Sequence, residues 1–108
     1  MKKFLVKQPN YPAIASESER YSFLVSRGKV HACDMAMTDG YYTDAAIITA
    51  ENLEKVFEEG NFQEYNDTIE KIDTFSSVSV GDVIVDIETK ECHVVAPVGF
   101  SKILYPDL

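Results

Sequence analysis

The chain has 108 residues, enough for one hydrophobic core and too few for two, so a single domain spanning residues 1–108 is expected. Its 18 acidic against 10 basic side chains give a formal charge of −8, which disfavours direct binding to nucleic acid, since neutralising phosphates needs clustered Lys and Arg. No apolar run approaches the roughly 20 residues of a membrane span, and the opening MKKFLVKQPNYP breaks at Gln8-Pro9 before a signal-peptide core forms.

Only Cys33 and Cys92 are present, too few for a secreted disulfide framework and consistent with a reducing cytoplasm. The charge is divided unevenly along the chain: residues 1–50 carry a net +1 and residues 51–108 a net −9. An acidic half of this kind serves either as a solvated face that keeps a domain soluble or as a surface that steers onto a basic groove of another protein.

In chain order, Lys3-Phe4-Leu5-Val6 predicts a first strand ended by Gln8-Pro9. Proline's missing donor assigns that strand to a sheet edge or to the entry of a loop. Ser16-Glu17-Ser18-Glu19-Arg20 is a polar helix start, and Tyr21–Val25 reads as the helix it opens, with a strand ending at Arg27-Gly28 as the alternative. Val30–Met37 alternates small and polar residues before the Asp39-Gly40 turn signal, and Tyr41–Ile48 follows, so two strands joined near Asp39-Gly40 are expected.

Thr49 is placed to cap a helix over Ala50–Glu59, with Leu53, Val56 and Phe57 on one face and Gly60-Asn61 as the stop. Glu51, Glu54 and Glu58 fall on a different face and form a carboxylate stripe. Residues 51–73 hold eight acids against two lysines, with Phe62, Tyr65, Ile69 and Ile72 interleaved, and Ile69–Ile72 is expected as a short strand or loop beside the helix. Glu51, Glu54, Glu58, Glu59 and Tyr65 are therefore the candidate partner-binding residues, for a protein with a basic surface.

The segment from Val83 to Ala96 reads as a hairpin with β-branched alternation and a turn at Glu88–Glu91. That turn sets Asp86 opposite His93, Val85 opposite Val94 and Ile84 opposite Val95. Asp86 beside His93 would favour the charged imidazole. A catalytic role is not expected, because Cys92 points away from His93 and no other nucleophile is placed nearby.

Gly81-Asp82 and Gly99-Phe100 are structural turns: Gly81 permits the tight entry, Asp82 accepts backbone donors, and Gly99-Phe100 lays one ring on the sheet. No phosphate loop is present. His31, Cys33, Cys92 and His93 cannot all converge on zinc from strands, and Asp34, Asp39 and Asp44 do not match a calcium loop. No cofactor, metal or catalytic residue is expected.

Ser77-Val78-Ser79-Val80-Gly81-Asp82-Val83-Ile84-Val85, followed by Val98-Gly99-Phe100-Ser101-Lys102-Ile103, resembles the C-terminal end of YodL-like domains and of small proteins of tailed bacteriophages and mobile elements. Ala50 to Asn61 is similar to an upstream motif of the phage versions. The resemblance covers residues 49–103 and departs where Ala96-Pro97-Val98 stands in place of an Asp-Ser pair before Gly-Phe. It implies a small accessory protein acting in a bacterial host cytoplasm, and it implies no catalytic residues.

The fold expected is α+β, a mostly antiparallel sheet of four to six strands with the Ala50–Glu59 amphipathic helix on one face. The function expected is non-catalytic binding of a host macromolecule through the acidic helix region. The alternative is a self-assembling protein, a homo-oligomer joined by sheet edges such as the first strand or Val30–Met37.

Overall fold

The computed structural model describes residues 1–61, 68–75 and 77–103. Strand β1 (Lys2–Pro9) opens the chain, and three short helices follow: α1 (Tyr11–Glu17), α2 (Glu19–Ser26) and α3 (Val30–Thr38). Strand β2 (Tyr42–Ala50), helix α4 (Leu53–Asn61) and strands β3 (Ile69–Lys71), β4 (Val83–Asp86), β5 (Cys92–Val95) and β6 (Phe100–Ile103) complete the order. The fold is α+β, with one six-stranded sheet in the order β3-β2-β1-β4-β5-β6, antiparallel at every junction.

Local chemistry explains the helical layer. The Asn10 side chain accepts from the Ala13 amide to start α1, and Ser18 ends α1 while its hydroxyl accepts from the Tyr21 amide to start α2. Both α2 and α3 stop at a left-handed glycine. The Lys29 amide bonds Leu24 O around Gly28 (φ +68), and the Tyr41 amide bonds Ala36 O around Gly40 (φ +79).

Two expectations are corrected here. Val30–Met37 is helix α3, not a strand, because Ala32, Cys33, Ala36 and Met37 are buried at helical spacing and Asp39-Gly40 is its C-terminal stop instead of a hairpin turn. The first strand is interior: β1 is flanked by β2 and β4, and Pro9 is tolerated because β4 pairs only with Phe4–Lys7. Neither element is an edge through which copies could join. Among the described residues the edges are β3 and β6, of three and four residues.

Helices cover both faces of the sheet, four of them among the described residues, where the expected fold packed a single helix on one face. On one face Ile14, Tyr21, Val25, Ala32, Cys33, Ala36 and Met37 of α1–α3 pack on Val83, Val85, Cys92, Val94 and Ile103. On the other, Val56 of α4 packs with Phe4, Val6, Ala46, Ile48, Ile84 and Val95. A bulge opposite Val6/Lys7 leaves Ala45 unpaired, and this extra residue turns Tyr42 from the α4 face to the α1–α3 face.

Helix α4 begins three residues later than expected. Thr49 and Ala50 complete β2, and the Asn52 side chain accepts from the Lys55 amide at 2.9 Å in the capping role assigned to Thr49. Gly60 and Asn61 lie within the helix. Gly60 is required there by packing, since a Cβ would stand 2.4 Å from Val78 Cγ2.

Candidate functional site

The later start of α4 rearranges the expected carboxylate stripe. Glu54 and Glu58 are exposed on α4 at i, i+4, whereas Glu51 precedes the helix. Glu51, Lys55 and half-buried Glu59 line a hollow of about 160 Å³ with Met1, Thr49, Ala50 and Thr68. Lys55 also ion-pairs with Glu58 at 3.3 Å, both side chains being half exposed. The acids thus form two sites on either flank of α4 instead of one stripe. Tyr65 lies outside the described residues.

On the other flank, Glu54 and Phe57 of α4 face Val95, Ala96, Pro97, Gly99 and Phe100 across a cavity of about 280 Å³. The walls are apolar and Glu54 is the one charged group in the lining. Gly99 (φ +73) turns the chain between β5 and β6, and the Ala96 amide bonds Gly99 O at 3.1 Å, so the turn is closed across its base. That turn carries Val98 into solvent at 92% exposure beside the cavity, and Phe57 is 38% exposed. Sequence reasoning singled out Glu54, Gly99 and Phe100 separately. The sequence pattern places Phe57 on the core face of the helix and gives Val98 only as part of the closing motif.

Gly81 and Asp82 lie elsewhere, in a buried polar cluster between β1, β2 and the entry to β4. Asp82 accepts from Gln8 Nε2 at 2.9 Å and from the Ser79 amide at 2.9 Å, and burial pushes its carboxyl up to about 6 against the pull of those two donors. The Tyr42 hydroxyl donates to Gly81 O at 2.5 Å. Gly81 stands at φ +97 with Val25 O 2.5 Å and Tyr11 Oη 2.9 Å from where a Cβ would be. Burial raises Tyr11 to about 12 and also raises Tyr42 and Cys33, so these groups are held protonated. Cys33 is fully buried, with its thiol toward Val25 O at 3.7 Å.

The Asp86–His93 pair does not form as expected. The hairpin register places Ile84 opposite His93 and Val85 opposite Cys92, two residues from the expected pairing. The cause is Asp86 itself, whose carboxylate accepts from the Glu88 and Thr89 amides at 3.0 and 3.3 Å and starts the turn one residue early. Asp86 also accepts from Lys2 Nζ at 2.6 Å, and this bond holds its carboxyl below the usual carboxylate range. Burial lowers His93 instead of raising it, and its Nδ1 is enclosed with no hydrogen-bond partner among the described residues. Among the described residues no group of three or more His, Cys, Asp or Glu is placed to hold a metal ion, and no described helix is long and apolar enough to cross a membrane.

A third hollow, of about 350 Å³, lies between α2 and α3 and is lined by Ser18, Arg20, Tyr21, Leu24, His31, Ala32 and Met35. Phe23 and Met35 on these helices are 60% and 55% exposed.

Compared with known proteins, the chain matches no family model, no curated protein and no solved structure.

Proposed function

We propose that the protein is a non-catalytic binding module whose α4 groove takes a basic, apolar-anchored segment of another protein. The observation that carries this reading is the cavity between α4 and the β5–β6 turn, where apolar walls, the partly exposed Phe57 and a single carboxylate (Glu54) meet, with the exposed Val98 in the adjoining turn. An apolar pocket with one placed charge selects a segment with an apolar residue beside a Lys or Arg. The net −9 of residues 51–108 adds long-range attraction for such a partner and repels nucleic acid. The resemblance of residues 49–103 to YodL-like and phage proteins supports a role as an accessory protein that meets a host macromolecule in the bacterial cytoplasm.

The test is fluorescence anisotropy with a labelled Lys/Arg-rich peptide carrying one Leu or Phe anchor. Micromolar binding is expected, weakened at least about tenfold by Glu54→Lys and several-fold between about 50 and 500 mM salt. Binding unchanged by Glu54→Lys and by Val98→Glu would reject the groove as the site.

A further inference from the structure

Strand β6 has β5 as its one neighbour among the described residues, so half of its backbone groups face away from the sheet. The register says which half. The Ala96 amide donates to Gly99 O at 3.1 Å at the mouth of the turn, and hydrogen-bonded pairs alternate along an antiparallel ladder. Val94 with Ser101 and Cys92 with Ile103 are therefore bonded pairs, whereas Val95 with Phe100 and His93 with Lys102 are not. The backbone of Val95 agrees, since its amide donates to Asp82 O and its carbonyl accepts from the Gly81 amide, both on the side away from β6. The amides and carbonyls of Phe100 and Lys102 thus point out along the free edge.

Phe100 belongs both to this edge and to the α4 cavity. Its side chain lies on the α4 face and lines the cavity with Phe57, while its backbone faces outward. Glu54, the charged group of that lining, has no ion-pair partner among the described residues. Lys102, on the same face as Phe100, is already paired with Glu91 at 3.1 Å. A chain laid along the edge therefore passes a neutralised lysine, then an aromatic ring, then the turn that faces an unpaired carboxylate.

We infer that the segment taken by the α4 groove binds as an extended strand added antiparallel to β6, exchanging backbone hydrogen bonds with Phe100 and Lys102. This rests on the binding function proposed above and supplies its mode and register. Side chains on the α4 face fall at every second position of the added strand. The residue opposite Lys102 is neutral, the one two positions later lies against Phe100 and enters the cavity as the apolar anchor, and the one two positions after that is the Lys or Arg that meets Glu54. A second copy is a poor occupant, because pairing β6 with β6 would bring together two halves that each carry −9.

A labelled peptide with Thr, Phe and Lys at alternate positions, in that order, tests it against the full chain by fluorescence anisotropy and amide hydrogen exchange. N-methylation of the peptide at Thr or at Phe removes a donor aimed at β6 and should weaken binding about fivefold each, whereas N-methylation of the residue between them should change it less than about twofold. In the peptide-free protein the amides of Phe100 and Lys102 should exchange faster than those of Ser101 and Ile103, which bond to β5. Saturating peptide should slow Phe100 and Lys102 by about tenfold or more.

Equal effects at all three methylated positions, or amides of Phe100 and Lys102 that stay fast in the complex, overturn the added strand. If Glu54→Lys still weakens binding in that case, the groove stands and only the mode of binding is wrong. A peptide that fails to bind, or binds regardless of Glu54→Lys, removes the groove and this inference together. Protection of Phe100 and Lys102 that grows with protein concentration in the absence of peptide places a second copy on the edge and overturns the assignment.

Discussion

Asp82 is 3% exposed and carries its charge toward one amide and one side-chain donor, so the cost of burial and the gain from two hydrogen bonds meet in one residue. Burial wins, raising the carboxyl from 3.8 to about 6. A group raised in the folded state contributes stability that is present below its unfolded value and lost as pH rises through the folded one, a contribution of about 3 kcal/mol here. Asp82→Asn keeps the acceptor for the Ser79 amide and removes the titration. Wild type is expected to gain on this variant by about 2 kcal/mol when the pH falls from about 7.5 to 4.5 in urea unfolding. His93, lowered by burial, works in the opposite direction over part of that range, and it cancels in the comparison because both chains carry it. Parallel stability curves for the two proteins would show that the hydrogen bonds, not burial, control Asp82. The turn role of Gly81-Asp82 was legible in the sequence. The enclosure was not, because it depends on Gln8 and Tyr42 arriving from distant segments.

The β4–β5 hairpin shows the same division at the level of an element. Alternation of β-branched residues marked both strands, while the register depended on where one carboxylate accepts its donors. Asp86 takes the Glu88 and Thr89 amides, and Lys90 completes the turn at φ +68 with its amide on Asp86 O at 2.7 Å. Asp86→Ala should cost about 2 kcal/mol through the two lost amide contacts. The bond to half-exposed Lys2 adds little to this. Amide hydrogen exchange should show protection lost first at residues 86–95. Uniform loss across the sheet at unchanged hairpin protection would assign Asp86 to overall packing instead. An Asp ahead of a polar tetrapeptide is a readable turn signal, and it competed here with an equally plausible turn one residue later. Val30–Met37 is ambiguous for a related reason: small residues alternate on a strand and also pack on a helix, and a left-handed glycine after Asp39 closes a helix as well as it turns a hairpin.

Across the whole molecule, Cys33 and Cys92 both belong to the core beneath α1–α3, as free thiols raised by burial, Cys92 to about 11. Aromatic disulfide reagents at about pH 8 should therefore label neither until the fold opens, at a rate about a hundredfold or more below that of the urea-unfolded chain. Rapid native labelling of either would show that the helical layer opens independently of the sheet. The sequence by itself determined strands β1, β2, β4 and β5, the body of helix α4 and the concentration of acid in the second half, because each depends on neighbours a few residues away. The tertiary structure alone decided that β1 lies inside the sheet, that α1–α3 cover the face opposite α4, and that Glu54 meets the β5–β6 turn while Glu51 does not. Those outcomes depend on which distant surfaces exclude water together, and local periodicity carries no information about partners forty or eighty residues away.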